Sequence, residues 1–168
     1  MPRGETSGAP SDASSIVERE VRIAAERETV FPFFTDPEKM VRWMGIGATL
    51  DPRPGGVFSV NTIVGYFAEG QFLEVDPPRR VVFSWGYGRF PGGDNPLPPG
   101  SSTVEVDLVP DGDATIVRLR HRVPPDLDAF HEMGWENYLG RLAIAVAGDD
   151  PGPDRFREAL ESMLGSDR

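Results

Sequence analysis

The chain contains no cysteine among its 168 residues. That removes disulfides, thiolate nucleophiles and cysteine-bound zinc or iron–sulfur centres. Histidine is nearly as scarce. With only two, His121 and His131, a three-histidine metal site is excluded. Glu132 directly follows His131, so the two side chains point about 100° apart on a helix, and no HExxH spacing exists. Basic residues are few: 17 Lys and Arg stand against 27 Asp and Glu, a net charge of −10. Nucleic acids and anionic lipid surfaces both attract basic faces, so neither is an expected partner. No apolar run approaches the roughly 20 residues that span a bilayer. The opening stretch MPRGETSGAPSDASS lacks the apolar segment of a secretory signal. The expected location is the cytoplasm, with no metal and no cofactor.

What is plentiful is glycine and proline, 19 and 17 residues, about a fifth of the chain. That proportion points to many turns and loops. Residues 1–15 carry almost no large apolar group. They cannot bury enough surface to offset the entropy of ordering, and are expected to form a disordered tail. The cluster GDDPGP at 148–153 is a second break. Residues 16–147 between them are the expected domain. Residues 148–168 follow as the break plus a short amphipathic helix with Phe156, Leu160, Met163 and Leu164 as its stripe.

Within the domain the patterning changes from mixed to alternating and then to helical. IVEREVRI (16–23) has most of its apolar character at odd positions, which suits a half-buried strand. Residues 25–45 read as two short helices, with Pro32 interrupting the first and Asp36-Pro37 opening the second as cap and first helical residue. After a Pro54-Gly55-Gly56 turn the period falls to two. Strands are expected over 57–67, 70–76, 79–87, 102–110 and 114–123. Phe58, Val60 and Thr62 share one face; so do Val81, Phe83, Trp85 and Tyr87, and so do Val117, Leu119 and His121. Arg118, Arg120 and Arg122 fall on the opposite face, opposite acids such as Glu105 and Asp107. Residues 88–101 have no period and several Gly and Pro, as in a long loop that borders a site. Residues 126–148 carry a period of 3.6. Trp135, Leu139, Leu142 and Val146 form one stripe, with His131 at its margin and Tyr138 at its rim. Met133, Ile144 and Ala147 lie on the other side, so the helix is expected to be buried on two sides. A run of strands between two short helices and one long helix is an α+β arrangement.

Particular residues add a likeness. Pro32, Thr35-Asp36-Pro37 through Trp43 and Gly45, Pro54-Gly55-Gly56 with Phe58, and Gly70 appear in order. Glu74-Val75-Asp76-Pro77-Pro78-Arg79-Arg80 leading to Phe83-Ser84-Trp85, Thr115 to His121, and Gly134-Trp135 with Leu139 and Leu142 follow. Over about 16–147 this resembles the SRPBCC superfamily of START-like, birch-pollen-allergen-like helix-grip proteins. The branch it resembles is the one named for the activator of the heat-shock-protein-90 ATPase. The resemblance implies a curved antiparallel sheet of about six to seven strands gripping a long C-terminal helix, commonly around an apolar cavity. It does not select one chemistry, because the superfamily spans lipid and hormone binders, polyketide cyclases and aromatases, and oxygenase domains.

The candidate wall of such a cavity is Phe58, Phe83, Trp85, Leu119 and His121 from the sheet, with His131, Trp135, Tyr138, Leu139 and Leu142 from the helix. The same residues would also make an ordinary packed core, and composition does not separate the two. No nucleophile elbow, phosphate loop or acid–base pair is present, so no catalytic residue is assigned. Binding of a hydrophobic small molecule is the expected function. A cyclase-like enzyme using His121 or His131 with Tyr138, and a protein-interaction or chaperone co-factor module, are the alternatives. The fitting partners are a hydrophobic small molecule and a second copy of the chain in a homodimer.

Overall fold

The computed structural model describes residues 14–63, 65–89 and 94–165. Strand β1 (Ser15–Ile23) leads into a helical turn α1 (Arg27–Val30), a 3-10 turn (Phe31–Phe34) and α2 (Pro37–Met40). Six strands follow: β2 (Gly47–Leu50), β3 (Val57–Ile63), β4 (Tyr66–Asp76), β5 (Arg80–Trp85), β6 (Ser102–Asp111) and β7 (Ala114–Val123). The chain ends in a long helix α3 (Asp128–Val146) and a shorter α4 (Arg155–Gly165). The seven strands form one antiparallel sheet in the order β1-β7-β6-β5-β4-β3-β2. β1 therefore closes the sheet beside β7, and α3 packs against it. This is the helix-grip arrangement.

Local chemistry explains the elements. Asp36 caps α2, its carboxylate accepting from the Glu38 N–H at 2.9 Å, and Pro37 takes the first helical position, where a missing N–H costs nothing. Pro32 stands where α1 tightens into the 3-10 turn. The Trp43 indole donates to the Phe33 carbonyl at 2.9 Å, and Arg42 donates to the Ala145 carbonyl at 3.1 Å, so the helical stretch is tied to itself and to α3. On β6 and β7 alternation sorts the residues cleanly: Val104, Val106, Leu108, Val117 and Leu119 are buried while Arg118, Arg120 and Arg122 face water. Arg120 meets Glu105 at 3.0 Å as the pattern suggests; Arg118 turns instead to Glu20 on β1, at 2.8 Å. Asp107 is taken by Arg80, which also reaches Glu105 and Glu74.

Several expectations are corrected. β2 is a strand that patterning did not reveal. The break between β3 and β4 lies around Gly65, not at residues 68–69, and Gly65 adopts φ +85°, a conformation glycine tolerates without strain. β1 begins at Ser15, whose hydroxyl donates to Asp128 at 3.2 Å; the expected tail falls on residues 1–13, which lie outside the described residues. The second side of α3 is not buried: Met133 is 60% and Ile144 42% exposed, because only one side of the helix meets the sheet. The stripe of α4 is also incomplete, with Met163 66% exposed. The far end of the 88–101 loop is pinned rather than free. Leu97 is buried, its carbonyl accepts from Tyr87 N–H at 2.8 Å, and Asn95 donates to the Tyr87 carbonyl at 2.6 Å.

Candidate functional site

Alternation along β5 and its extension puts Phe83, Trp85 and Tyr87 on one face of the sheet, where Trp85 meets Trp135 and Tyr87 meets His131 of α3. On α3 the helical spacing brings His131, Gly134, Trp135 and Tyr138 to the same side. The rings interlock: Trp85 and Trp135 lie 5.2 Å apart, and Trp85 and His121 5.7 Å apart. Helix α4 then lies across the open flank. There Thr62, Trp85, Tyr87, Phe130, His131, Gly134, Trp135, Tyr138, Phe156 and Leu160 enclose a small cavity of about 40 Å³. That volume suits a water molecule or two, well short of the several hundred Å³ of a typical ligand pocket.

The polar groups beside this cavity are ordered by donor count. An indole N–H can only donate, so Trp135 Nε1, 3.0 Å from His121 Nδ1, makes that nitrogen an acceptor. The His121 proton is therefore on Nε2, which donates to the Ser102 hydroxyl at 2.8 Å; Ser102 in turn donates to the Trp85 carbonyl at 2.8 Å. His131 has the opposite tautomer. Its Nδ1 donates to the Leu127 carbonyl at 2.8 Å, and its Nε2 accepts from the Tyr87 hydroxyl at 2.9 Å. Both imidazoles are neutral. Burial pushes His121 well below its ordinary value, with the nearby His131 adding to the effect. Burial also lowers His131, against the pull of the Leu127 carbonyl. Tyr87 is held far above its ordinary value by burial, and so is Tyr138, to which the Asp154 charge contributes.

One donor is left over. Among the described residues, the buried Trp85 Nε1–H meets no acceptor in strict hydrogen-bond geometry, although it lies near enough to the Tyr87 oxygen to favour its ionised form. A buried donor that finds no acceptor costs about 1–3 kcal/mol. Among the described residues, no group of three or more acidic or histidine side chains could hold a metal ion.

The profile of the family described as Activator of Hsp90 ATPase homolog 1-like protein matches residues 24–147. The chain belongs to this family. An AHSA1-like protein of Rhizobium etli is 46% identical over 86% of this chain and 89% of its own, with a TM-score of 0.66. CalU16 from Micromonospora echinospora is 26% identical over 90% of this chain and 96% of its own, at a TM-score of 0.62. An Hsp90 activator from Plasmodium falciparum, 23% identical at a TM-score of 0.61, shares the fold. No curated protein matches the chain. None of the described helices is long and apolar enough to cross a membrane.

In this AHSA1-like chain the ten residues singled out from the sequence divide in two. Trp85, His131, Trp135 and Tyr138 line the small cavity, and His121 stands just behind it, bonded to Trp135. Phe58, Phe83, Leu119, Leu139 and Leu142 are buried but not on its wall. Phe58 and Phe83 stack on each other at 4.1 Å, with Phe72 edge-on to Phe58 at 5.5 Å, so the space that alternation placed between sheet and helix is filled there by rings. Six wall residues were not among the predicted site residues: Thr62, Tyr87, Phe130, Gly134, Phe156 and Leu160. Nor was Asp154, only 3% exposed, whose Oδ1 accepts from Asn137 on α3 and from the Arg157 N–H, both at 3.0 Å. A Pro-Asp pair before an amphipathic run is a helix-cap signal, and it marks the start of α4.

Proposed function

We propose that this AHSA1-like domain binds a small, mainly aromatic molecule bearing a hydrogen-bond acceptor, at the cavity between β5, α3 and α4. The observation that carries the reading is the spare Trp85 Nε1–H beside an otherwise ring-lined apolar wall. A carbonyl or ether oxygen meeting that proton would recover the desolvation cost. The ligand's rings would leave water against Trp135, Phe130 and Tyr138, at about 25 cal/mol per Å² of apolar surface before the cost of association.

Binding is favoured over catalysis by the state of the histidines. Each imidazole is neutral, each ring nitrogen is engaged, and among the described residues neither bonds a carboxylate. A general acid or base needs a proton affinity near working pH and a free edge toward substrate. The protein would work as a cytoplasmic binder whose domain, residues 16–147, is completed at the site by α4. Titration with 1-tetralone, an aromatic ketone, and with naphthalene, which lacks an acceptor, tests the proposal. Tetralone should quench tryptophan fluorescence and raise Tm. Trp85→Phe should weaken tetralone and leave naphthalene unchanged. Equal effects of Trp85→Phe on both compounds would remove the assigned role of the donor.

A further inference from the structure

Resting on that binding site, we infer that the ring of Phe156 is a stand-in held in cis, occupying a slot meant for an aromatic ring of the ligand. The slot has a defined shape. Its floor is Gly134 on α3, where an added Cβ would sit 3.3 Å from two atoms of the Phe156 ring. Its sides are Phe130, 5.4 Å from Phe156 between ring centres, and Tyr138 at 5.9 Å and 76°, edge to face. Glycine inside a helix costs stability, about 1 kcal/mol against alanine, and here it creates room for a flat group to approach the backbone. The space that opens when Phe156 leaves adjoins the cavity lined by Trp85 and His131. Occupant and cavity together are what a ring bearing an acceptor would need.

Phe156 belongs to a segment that can leave without unravelling the domain. The match to the AHSA1-like family ends at residue 147, and α4 begins beyond it. Between them Gly148 and Gly152 take φ +90° and +78°, flanking Pro151. α4 is fastened by a few polar contacts. Asn137 holds Asp154, and Arg141 holds the Gly152 carbonyl at 2.8 Å. Its apolar anchors are Phe156 and Leu160, while Met163 stays in water. Ligand entry thus exchanges one aromatic ring for another and releases α4, so the affinity measured for the whole chain is lowered by the competition.

The test uses the full chain with Phe156→Ala. Benzene, a bare ring, should bind the variant and not the parent protein, as apolar cavities left by large-to-small changes do. The variant's affinity for 1-tetralone should rise at least fivefold. In the parent protein, saturating tetralone should speed proteolytic cleavage in the 148–153 linker. Phe156→Leu, which refills much of the space, should bind benzene less well and keeps the result readable if the alanine variant is poorly folded. Failure of benzene to bind either variant overturns the slot. Tetralone binding that is unchanged or weakened by Phe156→Ala shows Phe156 to be wall rather than competitor, with the binding reading intact. Benzene binding to the variant without any tetralone binding to the parent keeps the slot and overturns the ligand chemistry.

Discussion

The Trp135 indole N–H donates to Nδ1 of His121 across 3.0 Å, from the helix to the sheet. The bond dictates the charge of the histidine. A proton added to Nδ1 would face the indole N–H with no acceptor between them, and Nε2 already donates to Ser102. His121 therefore locks helix and sheet together only while neutral.

Stability should consequently fall with acid before the carboxylates titrate. Both histidines have folded values below their ordinary one. Above the unfolded value of about 6.5 neither state binds protons at these sites, and stability is level. Below it the unfolded chain takes up protons that the folded chain refuses, so stability drops as pH falls toward the folded values. The limiting slope is about 1.4 kcal/mol per pH unit for each histidine. Urea unfolding at pH 7.5, 6.0 and 5.0 reads this directly. Equal stability at all three values would refute the neutral assignment.

Trp135 is 2% exposed, so Trp135→Ala should cost about 3–5 kcal/mol in denaturant melts. Trp135→Phe keeps most of the packing but strands the His121 acceptor, at about 1–3 kcal/mol. The phenylalanine variant should also raise the His121 pKa, because Nδ1 then becomes free to take a proton. A loss under ~1 kcal/mol for the alanine variant would show that the indole is not a central contact.

The Glu74-to-Trp85 stretch that carried the family resemblance has a structural job. Arg80 lies among Glu74, Glu105 and Asp107 with N–O distances of 3.2, 3.1 and 3.0 Å, joining β4, β5 and β6. Arg80 is only partly exposed. Arg80→Ala removes the cation shared by Glu74, Glu105 and Asp107, leaving Glu105 its Arg120 partner, and should cost about 1–3 kcal/mol, more at low salt. Arg80→Lys should recover only part of this, since an ammonium cannot reproduce the fork. Full recovery by lysine would mean that charge alone matters at this site.

Alternation and helical period made β5, β6, β7 and α3 legible, because each has one buried face and the residue pattern records it. β2 was hidden because its alternation is only Ala48 and Leu50 around Thr49, too short to mark a strand; it exists by pairing with β3 at the sheet edge. The cavity was half legible. Trp85 and Trp135 follow from periodicity, whereas Phe156 and Asp154 gain meaning only when α4 folds back on α3, a contact that no local pattern encodes. Phe58 and Phe83 were assigned to the same wall because a strand face says which way a ring points, not whether a neighbouring ring such as Phe72 has filled the space.

If the Trp85 indole N–H is the acceptor-seeking group of a ligand site, the indole region of a 15N–1H NMR spectrum during titration with 1-tetralone reads it. The chain has 3 tryptophans, so the signals are few. Trp43 is already bonded to the Phe33 carbonyl and Trp135 to His121. The Trp85 indole proton should show a saturable downfield shift, with Trp43 unmoved. A Trp85 signal that stays in place while tetralone binds, or three signals that never move, would contradict that role.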